Sequence, residues 1–129
     1  MEQGRLVIAD DSAEMRWLVR TAVGQEFAEV VEAADGRELL WTLLRTELRS
    51  PEGPPDVVVT DLYMPGYSGL DVIDAWRELH PANPWILITA FPDDAVARRA
   101  ARLGATMLAK PFSTAQLRNA VHAALGGLP

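Results

Sequence analysis

Val57-Val58-Val59-Thr60-Asp61-Leu62-Tyr63-Met64-Pro65-Gly66 is a short apolar run that ends on a carboxylate and passes at once into turn-forming residues. Pro54 and Pro55 bound it before, Pro65 and Gly66 bound it after, and β-branched residues fill it. That is the pattern of a strand buried on both faces. In open α/β sheets, ligands gather at the carboxyl ends of such strands, and Asp61 stands at that end.

Outward from this strand the chain repeats one motif. Leu6-Val7-Ile8-Ala9 is a first apolar run, and it too ends on carboxylates, Asp10 and Asp11. Ser12 is placed to cap a helix whose Met15, Leu18, Val19 and Ala22 recur at helical spacing. A second strand lies between Ala28 and Ala34, and Asp35-Gly36 turns into a helix with Leu40, Leu43, Leu44 and Leu48 on one face. Arg49 to Pro55 reads as a surface loop rich in Pro and Gly. Beyond Asp61, Ser68 and Asp71 have capping-box spacing for a helix that buries Val72, Ile73, Trp76 and Leu79. Trp85-Ile86-Leu87-Ile88 is a fourth strand that finishes on Thr89-Ala90. A thinly packed, alanine-rich helix from about Pro92 to Leu103 follows, closed by Gly104. Thr106 to Ala109 is a last strand that delivers Lys110-Pro111, and Ser113 with Gln116 opens a final helix burying Leu117, Val121, Ala124 and Leu125. Five alternations of strand and helix predict an α/β fold with a parallel sheet covered on both sides.

The 129 residues fit one domain, 1–129, with a core from about Arg5 to Leu125. Almost half of them are apolar, enough for a core without disulfides, and the chain has no cysteine. No signal peptide or membrane-length apolar run is visible, so a soluble, cytoplasmic protein is expected. A net charge of -6 argues against direct nucleic-acid binding, which draws on clustered Lys and Arg.

The strand ends together supply Asp10, Asp11, Asp61, Thr89 and Lys110 on one edge. Two carboxylates about 4 Å apart repel by roughly 4 kcal/mol at an effective dielectric near 20, so three of them call for a cation. An oxygen-liking divalent ion, Mg²⁺, suits a site built of carboxylates. With the ion and Lys110 both positive, an anion is welcome there, and a neighbouring carboxylate can attack phosphorus to give an acyl phosphate.

These pieces in this order, the Asp10-Asp11 pair, the Asp61-Leu62-Tyr63-Met64-Pro65-Gly66 turn with Ser68-Gly69, Thr89-Ala90 and Lys110-Pro111-Phe112, resemble the receiver domain of two-component response regulators. The resemblance implies a flavodoxin-like, doubly wound (βα)5 sheet with strand order 2-1-3-4-5. It implies that Asp61 is the phosphoacceptor, taking a phosphoryl group from a sensor histidine kinase or a histidine phosphotransfer protein in a phosphorelay. Mg²⁺ is then held by Asp11, Asp61 and the backbone carbonyl of Tyr63, with Asp10 acting partly through water. Thr89, the Ala90 N–H and Lys110 bind the phosphoryl group, and the Lys110-Pro111 bond is cis. The last strand and last two helices form the surface for an effector or a homodimer, and catalysis is limited to the chain's own phosphoryl transfer and dephosphorylation.

Two departures stand out against the family. Met107 occupies the position of an aromatic that normally partners Thr89 in switching, which implies a weaker relay to the surface. Tyr63 and Phe91 flank the phosphoryl position with large rings, which implies a crowded rim that slows hydrolysis. Other residues have plainer readings. Arg98, Arg99 and Arg102 form a solvated helix face, Trp17 and Trp41 pack at core edges, and His80 and His122 carry no metal-ligand spacing. Two other functions fit the residues less well. A phosphatase or phosphotransferase with an aspartate nucleophile is disfavoured because Asp10 and Asp11 are adjacent rather than spaced Asp-x-Asp, and a degenerate receiver serving as a constitutive binding module is disfavoured because every acceptor-site residue is present.

Overall fold

Five short strands, β1 (Arg5–Ala9), β2 (Glu29–Ala33), β3 (Val57–Asp61), β4 (Trp85–Thr89) and β5 (Thr106–Ala109), pair in parallel in the order β2-β1-β3-β4-β5. The helices between them are α1 (Ala13–Val23), α2 (Gly36–Arg49), α3 (Gly69–Trp76), α4 (Asp94–Arg102) and α5 (Thr114–Ala124), with a 3-10 turn at Gly24–Glu26. This is the flavodoxin-like order expected above. The computed structural model describes residues 4–49 and 53–126, so the middle of the Pro- and Gly-rich loop and Gly127 lie outside the described residues. Among the described residues no helix is long and apolar enough to cross a membrane.

Alternation along the strands divides the core into two layers, because successive side chains point to opposite faces. Val7, Val58 and Leu87 face the α2, α3 and α4 side, where Leu39, Leu43, Val72, Ile73, Trp76 and Ala100 cover them. Leu6, Ile8, Val57, Val59, Ile86 and Ile88 face α1 and α5, under Val19, Ala22, Val23, Leu117 and Val121. All five residues of β3 and of β4 are buried, as a doubly covered strand requires. Each fully buried Val, Leu or Ile is worth roughly 1.5–3 kcal/mol of transfer free energy.

Local signals behave as expected at most helix ends. The Ser12 side chain accepts from Met15 N–H, and Ser68 with Asp71 and Ser113 with Gln116 form complete capping boxes. At α4 the expectation fails: the helix begins at Asp94 and is capped by Asp93, whose carboxylate accepts from Val96 N–H, so Pro92 precedes it. A side-chain acceptor for a free helix N–H outweighs proline's preference for the first turn. Ala100 is the buried residue of this thinly packed helix, and Gly104 closes it at φ +70°.

Several apolar residues expected inside are outside. Trp17 is 66% and Trp41 62% exposed, where core-edge packing was expected. Each sits two positions from a buried residue, Val19 or Leu39, and two steps along a helix rotate a side chain by about 200°. Leu39 takes the inward place on α2, while Leu48, 86% exposed, lies in the last turn of that helix. A 14-residue helix runs about 21 Å against about 17 Å for a five-residue strand, so its end overshoots the sheet. Leu18 and Leu79 are likewise exposed, Leu79 because α3 ends three residues earlier. The arginine patch is surface structure, as expected: Arg99 lies 3.5 Å from Asp71 and 3.9 Å from Asp74. Such exposed pairs contribute at most about 1 kcal/mol.

At the sheet end where the strands begin, one buried amide organises three segments. Asn83 accepts from the Trp76 indole N–H at 2.8 Å and donates to the Pro55 carbonyl at 2.7 Å. Arg77 donates to the Leu103 carbonyl at 2.7 Å, tying the end of α4 to the same corner. The two histidines act as bridges, His80 with Glu47 at 2.6 Å and His122 with Glu26 at 2.5 Å. Replacing Asn83 with Leu strands a buried indole N–H and a carbonyl, each costing about 1–3 kcal/mol. Urea unfolding is expected to show a lower midpoint with an unchanged m value, corresponding to a loss of about 2–6 kcal/mol.

Candidate functional site

The carboxyl ends of β1, β3 and β5 bring their acids and lysine together. β1 and β3 are adjacent, with Ala9 level with Thr60, so Asp10 and Asp61 leave the sheet side by side. Asp10, Asp11 and Asp61 each offer an oxygen, and these oxygens lie within 4.8 Å of one another. Lys110 Nζ is 3.7 Å from Asp10 Oδ2 and 3.8 Å from Asp61 Oδ1, so one ammonium serves two carboxylates. The Lys110-Pro111 bond is cis. Lys110 N–H donates to the Thr89 carbonyl at 2.8 Å, which ties the exit of β5 to the end of β4.

One ammonium does not balance this cluster. Burial pushes Asp10 above the ordinary carboxylate range, against the Ser12 N–H that donates to its Oδ1 at 2.9 Å and the charge of Lys110. Burial, and then the charge of Asp10, pushes Asp61 up as well, with Lys110 opposing. Asp10 Oδ2 is buried with no hydrogen-bond partner among the described residues. An orphaned buried carboxylate oxygen, two carboxyls driven toward their protonated forms and an all-oxygen donor set within 4.8 Å fit a hard divalent cation. The cluster can therefore hold a metal.

The remaining expected residues lie on the ends of β3 and β4 and within β5. Thr89 is fully buried at the end of β4, and its hydroxyl oxygen accepts from Phe91 N–H at 3.0 Å. Ala90 follows it on the surface. Tyr63, two residues beyond Asp61, is 51% exposed, and Phe91 is 74% exposed. Met107 is not part of the acidic mouth. It is partly buried against the layer under α2, α3 and α4, and its strand position is level with Leu87.

Three residues make contacts at the site that their place in the sequence does not disclose. At Gly69 a Cβ would come within 2.7 Å of the Asp61 carbonyl oxygen, and Gly69 N–H donates to the Leu62 carbonyl at 2.8 Å. At Gly36 a Cβ would come within 1.9 Å of the Tyr67 carbonyl oxygen, so the loop after Asp61 rests directly on the start of α2. Glycine in the Ser68-Gly69 turn was legible as a turn residue, but neither close approach is encoded locally. Arg16 donates from Nη1 to the Asp10 carbonyl at 2.7 Å, and a lone arginine on an amphipathic helix carries no such signal.

Comparison with known proteins agrees with this geometry. Residues 6–122 match the family model for the response regulator receiver domain. A probable chemotaxis protein CheY of Rhizobium etli is 32% identical, over 98% of this chain and 96% of its own length. The DNA-binding transcriptional regulator NtrC of Salmonella typhimurium is 31% identical over 87% of this chain, which spans only 23% of that longer protein. Among solved structures, chemotaxis protein CheY4 of Vibrio cholerae superposes with a TM-score of 0.79 at 26% identity, covering 95% of this chain and 98% of its own. A receiver domain protein of Clostridium thermocellum gives a TM-score of 0.82 at 25% identity, covering 96% and 95%. With the match spanning both the strand-end acids and the lysine, the chain belongs to the response regulator receiver domain family.

Proposed function

We propose that this receiver domain, acting in the cytoplasm as one unit of residues 1–129, takes a phosphoryl group on Asp61 from a phosphohistidine of a sensor histidine kinase or a histidine phosphotransfer protein. The observation that carries the reading is the gathering of three carboxylate oxygens within 4.8 Å beside an ammonium shared between Asp10 and Asp61. An Asp61 oxygen attacks phosphorus, the P–N bond breaks as the P–O bond forms, and the imidazole leaves, giving an acyl phosphate. Asp10, Asp11, Asp61 and the Tyr63 carbonyl would hold Mg²⁺, which supplies neutralisation of the phosphoryl oxygens. Lys110, the Thr89 hydroxyl and the Ala90 N–H receive those oxygens. Hydrolysis of the acyl phosphate resets the domain, and no other substrate is turned over.

The output is a change of partners, an effector or a second copy, at the surface of β5, α4 and α5. Met107 is flexible and already packed against the core, so it transmits the movement of Thr89 more weakly than an aromatic would. Chemical shifts of α4 and α5 amides are expected to move further on phosphorylation in Met107→Tyr than in the wild type. Equal movement in both proteins removes Met107 from the relay.

Incubation with a small-molecule phosphodonor and Mg²⁺, followed by intact mass, is expected to add one phosphoryl group to the wild type and none to Asp61→Asn. Undiminished labelling of that variant overturns the assignment.

The raised carboxyls make a further prediction. A carboxyl pushed up in the folded state binds its proton more tightly there than in the unfolded chain. Its contribution to stability is full below the unfolded value and is lost as pH rises through the folded one. In a chelator, Asp10→Asn, which keeps an oxygen for the Ser12 N–H, is therefore expected to melt several degrees higher than wild type at neutral pH. That advantage disappears in acid, and Mg²⁺ raises the wild-type melting temperature more than that of the variant. Differential scanning calorimetry at both pH values checks the sign.

A further inference from the structure

Arg16 touches none of the strand-end carboxylates, yet it is bound to the main chain that carries two of them. Its Nη1 donates to the Asp10 carbonyl at 2.7 Å, and its Nε donates to Glu32 Oε1 at 2.9 Å on strand β2. The other Glu32 oxygen accepts from Arg20 Nε at 2.8 Å. Burial at Glu32 works against its charged form, but the hydrogen bonds from Arg20 and Arg16 outweigh it and hold the carboxyl below its usual range. The guanidinium is thus anchored to the sheet through Glu32, with its side chain 19% exposed.

The carbonyl of Asp10 belongs to the peptide unit that joins Asp10 to Asp11. Because that unit is planar, holding its oxygen orients the plane and sets the direction in which the Asp11 Cα departs. On the other side, Asp10 N–H donates to the Ala33 carbonyl at 3.1 Å, which anchors the same residue to β2. Asp11 itself is exposed, so its placement depends on its main chain more than on packing. Charges crowded within 4.8 Å push apart, and the force must be borne by the backbone that carries them.

We infer that the Arg16–Glu32 pair is a positioning clasp, holding the Asp10-Asp11 peptide in the orientation that lets both carboxylates meet a divalent cation with Asp61. This rests on the metal reading of the site given above. Arg20 shares Glu32 but does not reach Asp10; it donates instead to Glu32 and, at 3.4 Å, to the Val30 carbonyl. The two arginines therefore separate the clasp from general support of α1.

The test is a Mg²⁺ titration of the full chain followed by amide chemical shifts, with urea midpoints measured in parallel. Groups that orient metal ligands typically change metal affinity by about 10- to 100-fold when removed. Arg16→Met is expected to raise the dissociation constant about tenfold or more, and to shift the Asp11 amide resonance already in the metal-free protein. Arg20→Met is expected to lose comparable stability while staying within about twofold of wild type in affinity, since it leaves the Arg16 hydrogen bond to the Asp10 carbonyl intact. Should Arg16→Met not fold, Arg16→Lys replaces it: a lysine reaches Asp10 or Glu32 but not both, and an intermediate loss is expected. Equal affinities for the Arg16 and Arg20 variants, or an Arg16 variant within twofold of wild type, overturn the clasp while leaving the metal site standing. A wild type that does not respond to Mg²⁺, or an Asp61→Asn that responds fully, overturns the metal reading and the clasp with it.

Discussion

Carboxylates repel, and this fold holds three of them within 4.8 Å at the end of its sheet. Two are buried enough to be pushed toward their protonated forms, and a single lysine stands between them. A mutual repulsion of several kcal/mol is a standing load, and the surrounding structure is arranged to bear it. The strands fix where the acids leave the sheet, and the ladder between β1 and β3 puts Asp10 beside Asp61. Rigid strand ends are well suited to hold charges in unfavourable proximity, because each backbone hydrogen bond would have to break before the acids separated. That proximity makes a place that a divalent cation could fill.

The loops around the cluster do the rest of the holding. Gly69 admits the Asp61 carbonyl and Gly36 admits the Tyr67 carbonyl at distances no Cβ allows, so the turn after β3 is pressed between α3 and α2. Thr60 contributes from beneath, its hydroxyl donating to the Asp61 carbonyl at 2.9 Å. Far from the site, Asn83 joins α3, β4 and the segment before β3 at the other end of the sheet. The two ends divide the work. One is tied together by the buried Asn83 amide and stabilises the fold, while the other holds crowded, unbalanced charge and supplies the chemistry.

Much of this was legible in the sequence for a local reason. Buried strands write themselves as short apolar runs, and the residue after each run is a strand end, so Asp10, Asp61, Thr89 and Lys110 could be assigned to one edge. Caps were equally plain where a hydroxyl preceded a side chain three residues on, as at Ser68 and Ser113. Helix faces were less reliable. A helical stripe marks which residues are apolar but not where a helix stops covering the sheet, so Leu48 and Leu79 were expected inside and Leu39 was overlooked. The same limit applies to Trp17 and Trp41, which flank apolar stripes and so are expected at the core edge, but whose angular position puts them in solvent.

The alternation of strand and helix, the parallel sheet and the set of side chains at its functional edge are written locally in the chain. These follow from periodicity and turn chemistry within a few residues. The convergence of three carboxylate oxygens, the sharing of one lysine by two of them, and the hold of Arg16 on the peptide between Asp10 and Asp11 through an anchor on β2 arise from packing alone. Glu32 is sixteen residues from Arg16, and Tyr67 is thirty-one from Gly36. Contacts across such separations depend on strand register and on how closely helices lie against the sheet, and no local pattern in the chain encodes those distances.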